Sequence, residues 1–348
     1  MTRHPYDGAP PHRLWRRAMA NRTAPDIDPV HAFPFRLSRE DRVVTAGSCF
    51  AQHIARHLRA RGFNYLVTEP AHPTLTQAVA ETYQYGLYSA RWGNIYTARQ
   101  LRQLFRRAHN TFRPHDDIWE QDGTFIDPYR PAIQPGGFSS RAEYQADRTQ
   151  HFAATRRAFA DMDVFIFTLG LTECWLNQAD GATYPLCPGT IAGTFDPAQH
   201  RFHDLSVEEV VSDFRAFLAD LRTINPHVRI ILTVSPAPLA ATAKDTHVLQ
   251  ATILSKSILR VAAAILARHD GIAYFPSYEI VTGPHAENYF EPDLRSVSDH
   301  AVAHVMRLFV RHATVAREDD PLPAPPPQQV EEKSLIQIIC EEEKLGAG

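Results

Sequence analysis

Ser48 is the residue of this sequence best placed to act as a nucleophile. It follows Gly47, directly after the β-branched run 42–46, and apolar residues then recur every fourth position. This pattern predicts a strand that ends in a tight turn and leads into a helix. At a helix N-terminus, backbone N–H groups favour an oxyanion, and a nearby base can activate a serine hydroxyl. The alternative is that Ser48 caps the helix, which is a frequent role for serine.

Cys49 is the rival nucleophile beside it. A thiol at a helix N-terminus is acidified and becomes reactive. If Cys49 begins the helix, however, its side chain points away from Ser48, and small cysteines are commonly buried. We therefore expect Cys49 to belong to the core.

Three other short segments carry polar groups next to turns. Each is also what an ordinary turn or helix cap would show. The segments are Gly93 with Asn94, Gly170 with Thr172 and Glu173, and Asp293 with Ser296.

The elements that must position these groups alternate along the chain. Buried parallel strands are predicted at 42–46, 163–169, 228–234 and 272–275, with a further strand at 63–67. One helix is predicted to follow Cys49, and others are predicted at about 74–88, 97–108, 206–223, 246–268 and 298–312. Ser206 and Glu209 form the capping box that opens the helix at 206–223. Such alternation predicts an α/β fold, a three-layer α/β/α arrangement with a mostly parallel sheet. The carboxyl ends of the strands, where Ser48 and Gly170 lie, should form the site.

We predict three regions along the chain. Residues 1–40 form an irregular N-terminal arm, and residues 41–315 form the domain, with a polar insertion at about 174–205. Residues 316–348 form a Pro-rich linker and an acidic tail, which could dock as a short helix or bind a protein partner. Four aromatic residues of the insertion would suit stacking on a sugar, although they would equally pin a loop to the core: Trp175, Tyr184, Phe195 and Phe202.

Composition narrows the class of protein. The 348 residues carry a net charge of -3, with acidic and basic residues interspersed, so a nucleic-acid partner is not expected. The four cysteines are too few and too scattered for a disulfide scaffold or a zinc site. The sequence shows no signal peptide, no run of eighteen apolar residues, and no nucleotide or metal motif. These features predict a bacterial cytoplasmic protein without a membrane span, a metal or another cofactor.

Several ordered motifs resemble the GSCFA family over roughly residues 40–312. They are Gly47-Ser48-Cys49-Phe50-Ala51, Thr168-Leu169-Gly170, Asn225-Pro226, Thr233-Val234-Ser235-Pro236, Ser255-Lys256 and Tyr274-Phe275-Pro276-Ser277-Tyr278-Glu279. That family is similar to the SGNH/GDSL hydrolases, so the resemblance implies a flavodoxin-like, SGNH-hydrolase-like fold.

The resemblance also implies roles for single residues. Ser48 takes the place of the nucleophile, and Gly93 that of the glycine whose N–H donates to the oxyanion. Gly170 begins a third block, in which Thr172 replaces the amide donor and Glu173 replaces the acid. A threonine hydroxyl can still donate one hydrogen bond.

The last block departs from the hydrolase pattern. Asp293 matches its acid, but Ser296 stands where the histidine base belongs, and a serine cannot accept a proton near neutral pH. We expect another histidine to serve, with His247 first and His285 second. His203 and His300 are further candidates.

The resulting functional hypothesis is a serine ester hydrolase or O-acyltransferase that forms an acyl-Ser48 intermediate on a carbohydrate or related acyl ester. The substrate would be a small molecule or a glycan ester. The alternative is a catalytically decayed binding or assembly protein on the same scaffold, which Thr172 and Ser296 suggest.

Overall fold

The central sheet consists of four parallel strands. It belongs to a computed structural model that describes residues 4–317, 320, 341 and 342. The strands are β1 (Val43–Gly47), β4 (Val164–Leu169), β8 (Arg229–Val234) and β9 (Ile272–Tyr274), and they lie side by side in the order β1-β4-β8-β9. Gly47 pairs with Thr168, and Thr168 pairs with Thr233. The four central strands predicted from apolar runs are therefore confirmed, within one residue at each end.

Helices cover both faces of this sheet, which confirms the three-layer α/β/α fold. They are α1 (Trp15–Met19), α2 (Phe50–Ala60), α3 (Gln77–Thr82), α4 (Ala98–Ala108), α5 (Arg141–Asp161), α6 (Val207–Ile224), α7 (Val248–Leu266), α8 (Ser277–Thr282) and α9 (Asp299–Ala313). Apolar residues of α2, α8 and α9 form one core with one face of the sheet. Those of α4, α5, α6 and α7 form the core on the other face.

Helix caps fix several of these boundaries where the sequence predicts them. Ser206 and Glu209 form a reciprocal capping box at the start of α6. Ser298 caps α9 through its side chain. Thr97 and Gln100 cap α4 in the same reciprocal way.

The segment 63–67 is not a strand, in contrast to our expectation. It forms a single parallel bridge to β1, between Val43 and Tyr65. The contact continues through side chains, since the Tyr65 hydroxyl lies 2.8 Å from Thr45 Oγ1. Two backbone hydrogen bonds form the bridge, from Val43 N–H to Asn64 O and from Leu66 N–H to Val43 O, each at 2.9 Å, and the pairing ends there.

Two regions outside the predicted helices and strands contain small sheets. Residues 113–138 include a hairpin of β2 (Trp119–Gln121) and β3 (Thr124–Ile126). The insertion forms an antiparallel sheet, β6-β5-β7, from β5 (Glu173–Asn177), β6 (Thr183–Tyr184) and β7 (His200–Asp204). Its aromatic rings pack on one another, with Trp175 5.3 Å from Phe195 and 5.7 Å from Phe202 between ring centroids. Those rings therefore hold the insertion together by contacts with one another, although Phe195 remains 43% exposed.

Helix α7 is apolar and long enough, by length and composition alone, to cross a membrane. It also contacts α6 and β8, and it contains the buried Lys256. A helix of the protein core has the same properties, so this finding carries little weight by itself.

Candidate active site

The turn after β1 requires a glycine. Gly47 has φ +138°, and a Cβ atom at this position would lie 2.3 Å from the carbonyl oxygen of Thr168. Any other residue would collide with the backbone of β4. The glycine therefore lets β1 lie close to β4 and places the next residue, Ser48, at the carboxyl edge of the sheet.

Ser48 is buried, with 2% of its surface exposed. Its hydroxyl has no hydrogen-bond partner within the part of the chain that the structure describes. The N-cap of α2 is Cys49, and no side chain caps this helix. The interpretation of Ser48 as a helix cap is therefore wrong, because a capping hydroxyl would accept a hydrogen bond from the first turn of the helix.

Gly170 lies beside Ser48, as the sequence predicts. A Cβ atom on Gly170 would lie 3.0 Å from the Cβ of Ser48. The Gly93–Ile95 segment reaches the same turn, because the Ile95 N–H donates to the Gly47 carbonyl at 2.8 Å. Three segments that are distant in sequence thus meet around one serine.

Three backbone N–H groups near Ser48 could bind an oxyanion, and they differ in whether they already donate a hydrogen bond within the protein. The Ser48 N–H donates to Thr168 O at 3.2 Å, and the Gly170 N–H donates to Tyr96 O at 3.0 Å. Gly93, at φ +67°, donates its N–H to none of the described residues. Of these three N–H groups, that of Gly93 is therefore the one available within the described residues in this conformation.

Hydrogen bonds among three buried side chains hold the Gly93–Asn94 segment in place. The Tyr88 hydroxyl donates to Asn94 Oδ1 at 2.6 Å and accepts from Gln52 Nε2 at 3.3 Å. Burial raises the pKa of Tyr88 well above its ordinary value, so this hydroxyl stays protonated and remains a donor. These hydrogen bonds link α2 to the segment that carries the free N–H of Gly93.

Thr172 and Glu173 point to other partners. The Thr172 hydroxyl donates to Asp204 Oδ1 at 2.6 Å, and its N–H donates to Ser255 Oγ at 3.1 Å. Glu173 accepts from the Thr242 hydroxyl at 2.7 Å, and burial raises the pKa of its carboxyl. In this arrangement the Thr172 hydroxyl ties the residue before β5 to the end of β7 and is not a donor toward Ser48.

No histidine forms a hydrogen bond with Ser48 among the residues that the structure covers. His247 is exposed and caps α7, where its Nδ1 accepts from the Leu249 N–H at 3.1 Å. His285 Nε2 lies 3.0 Å from Ile280 O, and burial lowers the pKa of this ring. His203 is paired with Glu209. The assignment of a histidine base thus stays a prediction that no contact supports.

Asp293 and Ser296 bond to each other. The Ser296 hydroxyl donates to Asp293 Oδ2 at 2.6 Å, and the Ser296 N–H donates to Oδ1 at 2.9 Å. These hydrogen bonds, with that of Arg295 N–H, hold the pKa of the Asp293 carboxyl below its usual value. The pair shapes the loop before α9, and Arg295 lies within it.

Lys256 is a functional candidate that the sequence interpretation missed. Its side chain is 1% exposed, and its Nζ donates to the Gly170 carbonyl at 2.7 Å. Burial lowers the pKa of Lys256 to about 8. The available signal was a lysine in the middle of an apolar helix, in a chain that contains only four lysines.

A carboxylate from the C-terminal segment also reaches this region. Glu342 is buried, and its Oε2 lies 3.4 Å from a guanidinium nitrogen of Arg295. Glu341 is also buried, and its Oε1 lies 3.8 Å from where a Cβ on Gly93 would stand. Burial raises the pKa of the Glu342 carboxyl, against the opposing effects of Arg295 and Lys256. The sequence placed the acidic tail outside the domain without indicating this contact; its remaining residues lie outside the described part.

Cys49 is buried, as expected, but it is disulfide-bonded and not a thiol. Cys174 and Cys187 are free thiols, and burial raises the pKa of each. Cys49 in this state therefore cannot act as the rival nucleophile, because a disulfide sulfur carries no thiol proton. Within the described residues there is no group of three or more His, Cys, Asp or Glu side chains that could hold a metal ion.

These observations define an α/β/α protein with a buried serine at the carboxyl edge of its parallel sheet. The chain belongs to the GSCFA family, whose sequence profile matches residues 42–309. No curated protein matches it in sequence.

One similar solved structure is a protein from Streptococcus pneumonia that is provisionally named a platelet activating factor. The two share 11% sequence identity, and the match covers 43% of this chain and 59% of that one, with a TM-score of 0.26. This chain thus spans less than two thirds of that protein. The likeness is too low to support an argument about function.

Proposed function

We propose that this protein is a serine-dependent acyl-transfer enzyme, an ester hydrolase or O-acyltransferase that acts through an acyl-Ser48 intermediate on a carbohydrate or related acyl ester. The observation that carries the proposal is the Ser48 hydroxyl. It is buried without a hydrogen-bond partner among the described residues, and it follows the strand–turn–helix bend that Gly47 permits. A hydroxyl that no described residue engages can form its hydrogen bond with a base or a substrate, and Ser48 alone among such hydroxyls follows Gly47 and lies beside Gly170.

The proposed chemistry has two steps. Ser48 Oγ attacks the ester carbonyl carbon while its proton passes to a base, and the carbonyl oxygen becomes an oxyanion that the Gly93 N–H can bind. The C–O bond to the leaving alcohol then breaks, and the alcohol takes the proton back from the base. Water or an acceptor hydroxyl next attacks acyl-Ser48, which gives hydrolysis or transfer.

Lys256 is the base that the geometry supports best. It bonds to the carbonyl of Gly170, the residue in contact with Ser48, whereas His247 is exposed and caps α7. Its lowered pKa gives a substantial neutral fraction slightly above neutral pH, which a general base requires. Serine–lysine pairs are a recognised variant of the serine–histidine arrangement.

A fluorophosphonate probe tests the proposal, because it labels an activated serine and spares an inert one. We expect the parent protein to be labelled and Ser48→Ala to lose the label. Ser277→Ala is the matched control: Ser277 is also buried, its hydroxyl also has no partner among the described residues, and it also lies where a parallel strand is followed by a helix. Labelling that persists in Ser48→Ala would contradict the assignment.

The second candidate is a decayed binding protein on the same scaffold. It is favoured by the absence of a histidine at Ser296 and by the engagement of the Ser48 and Gly170 N–H groups within the protein. On this alternative, neither the parent nor any variant at the site would react with the probe.

A further inference from the structure

The chain itself supplies a carboxylate to the proposed site. Glu342 comes from near the C-terminus, and it is 4% exposed. Burying a carboxylate this completely is costly unless a cation meets it. Here Arg295 lies 3.4 Å away, and the positive charge of Lys256 acts on the same carboxyl.

The two cations that act on Glu342, Arg295 and Lys256, both belong to the proposed site. Arg295 lies between Asp293 and Ser296, in the loop where the related hydrolases carry their base. Lys256 bonds to Gly170 beside Ser48. Glu341, the neighbour of Glu342, lies against Gly93, the residue whose N–H is available for an oxyanion. An ester that binds at Ser48 with its carbonyl oxygen at Gly93 would therefore come close to Glu341.

We propose that Arg295 forms a carboxylate-binding subsite of the acyl-transfer site and that Glu342 occupies it in place of a carboxylate on the substrate. This inference rests on the proposed function. It names the substrate class as acyl esters that carry a carboxylate on the acyl chain. It also makes Glu342 an intramolecular competitor, since substrate binding must displace its carboxylate.

The charge of Glu342 has a second effect, on the protonation of Lys256. The charged groups that act on Lys256 are Glu342, which raises its pKa, and Arg295, which lowers it. While Glu342 is bound, its charge favours protonated Lys256, which cannot accept the proton of Ser48. Displacement of Glu342 by a substrate whose carboxylate lies farther from Lys256 would both open the site and make the base neutral.

The test compares full-length parent protein with Glu342→Gln and with the charge-matched control Glu287→Gln, an exposed residue on the loop after α8. Loss of one charge-assisted contact should speed fluorophosphonate labelling of Ser48 by about tenfold in Glu342→Gln. The pH at which labelling reaches half its maximum rate should fall in the same variant. Glu287→Gln should match the parent in both measurements.

Substrate class is tested with two p-nitrophenyl esters of equal chain length, the hexanoate and the anionic mono-adipate. In Glu342→Gln we expect kcat/KM to favour the adipate ester by about tenfold, and the double variant Glu342→Gln/Arg295→Gln to lose this preference. Circular dichroism and Tm of each variant show that it is folded; Glu342→Ala replaces Glu342→Gln if the amide keeps the contact with Arg295.

The outcomes separate the two proposals. Equal labelling rates in parent and Glu342→Gln, with no preference for the adipate ester, would overturn this inference and leave the acyl-transfer function standing. Slower labelling in Glu342→Gln would also overturn it, because Glu342 would then assist the reaction. No labelling of Ser48 in any variant would refute the proposed function itself.

Discussion

Replacement of Lys256 by methionine should change stability in a pH-dependent way. The side chain is 1% exposed, and burial lowers its pKa from 10.5 to about 8. For a base, a lowered pKa in the folded state means that folding disfavours the charged form. The resulting cost is fully present below pH 8, decreases between pH 8 and 10.5, and vanishes above the pKa of the unfolded chain.

The size of this effect follows from the shift. At about 1.4 kcal/mol for each pKa unit, the charged lysine lowers the free energy of unfolding by roughly 3 kcal/mol at pH 7. Methionine removes that cost, but it leaves the Gly170 carbonyl without its donor, which costs about 1–3 kcal/mol at every pH. As the pH rises from 7 to 10.5, the parent should therefore gain about 3 kcal/mol in free energy of unfolding that Lys256→Met does not gain.

Urea unfolding of the parent and Lys256→Met at several pH values measures this difference. Lys333→Met, in the segment 321–340 outside the described residues, controls for the loss of a lysine. A stability difference between parent and Lys256→Met that does not change with pH would refute the reasoning, because it would mean that Lys256 titrates as an ordinary lysine.

Two further predictions concern the turn at Ser48. Gly47→Ala should cost about 3 kcal/mol or more in free energy of unfolding, because φ is +138° at this position and the new Cβ would collide with Thr168 O. Gly123→Ala is the control: it stands in open space at φ +76° and should cost about 1 kcal/mol, so equal losses in chemical denaturation would contradict the account. Cys49 is disulfide-bonded, whereas Cys174 and Cys187 are free thiols, so alkylation of unfolded but unreduced protein should modify Cys174 and Cys187 and leave Cys49 unmodified. Peptide mapping should find Cys49 alkylated only after reduction, and its alkylation in unreduced protein would contradict the disulfide.

The sheet could be predicted from sequence because each strand is marked by a run of neighbouring apolar residues. Four continuous apolar runs were long enough to be recognised as buried parallel strands, and Ser206 with Glu209 marked a helix start by themselves. The segment 63–67 had the same apolar character but formed a single bridge, since the number of backbone contacts to β1 depends on tertiary packing.

The site could be predicted only in part, for a related reason. Gly47, Ser48 and Gly170 were found because strand ends in a parallel sheet must meet at one edge. Lys256, Arg295 and Glu342 come from a helix, a loop and the C-terminal segment, and no periodicity or spacing links them. Their contact depends on how distant segments pack, which a single sequence does not show.

The identity of the residue that forms the covalent adduct tests the central claim most directly. Fluorophosphonate-treated protein is digested and the modified residue is located by mass spectrometry across a pH series. We expect one adduct, on Ser48, formed at a rate that rises through about pH 8 as Lys256 loses its proton. An adduct on another residue, or no adduct on Ser48 at any pH in either the parent or Glu342→Gln, would contradict the account.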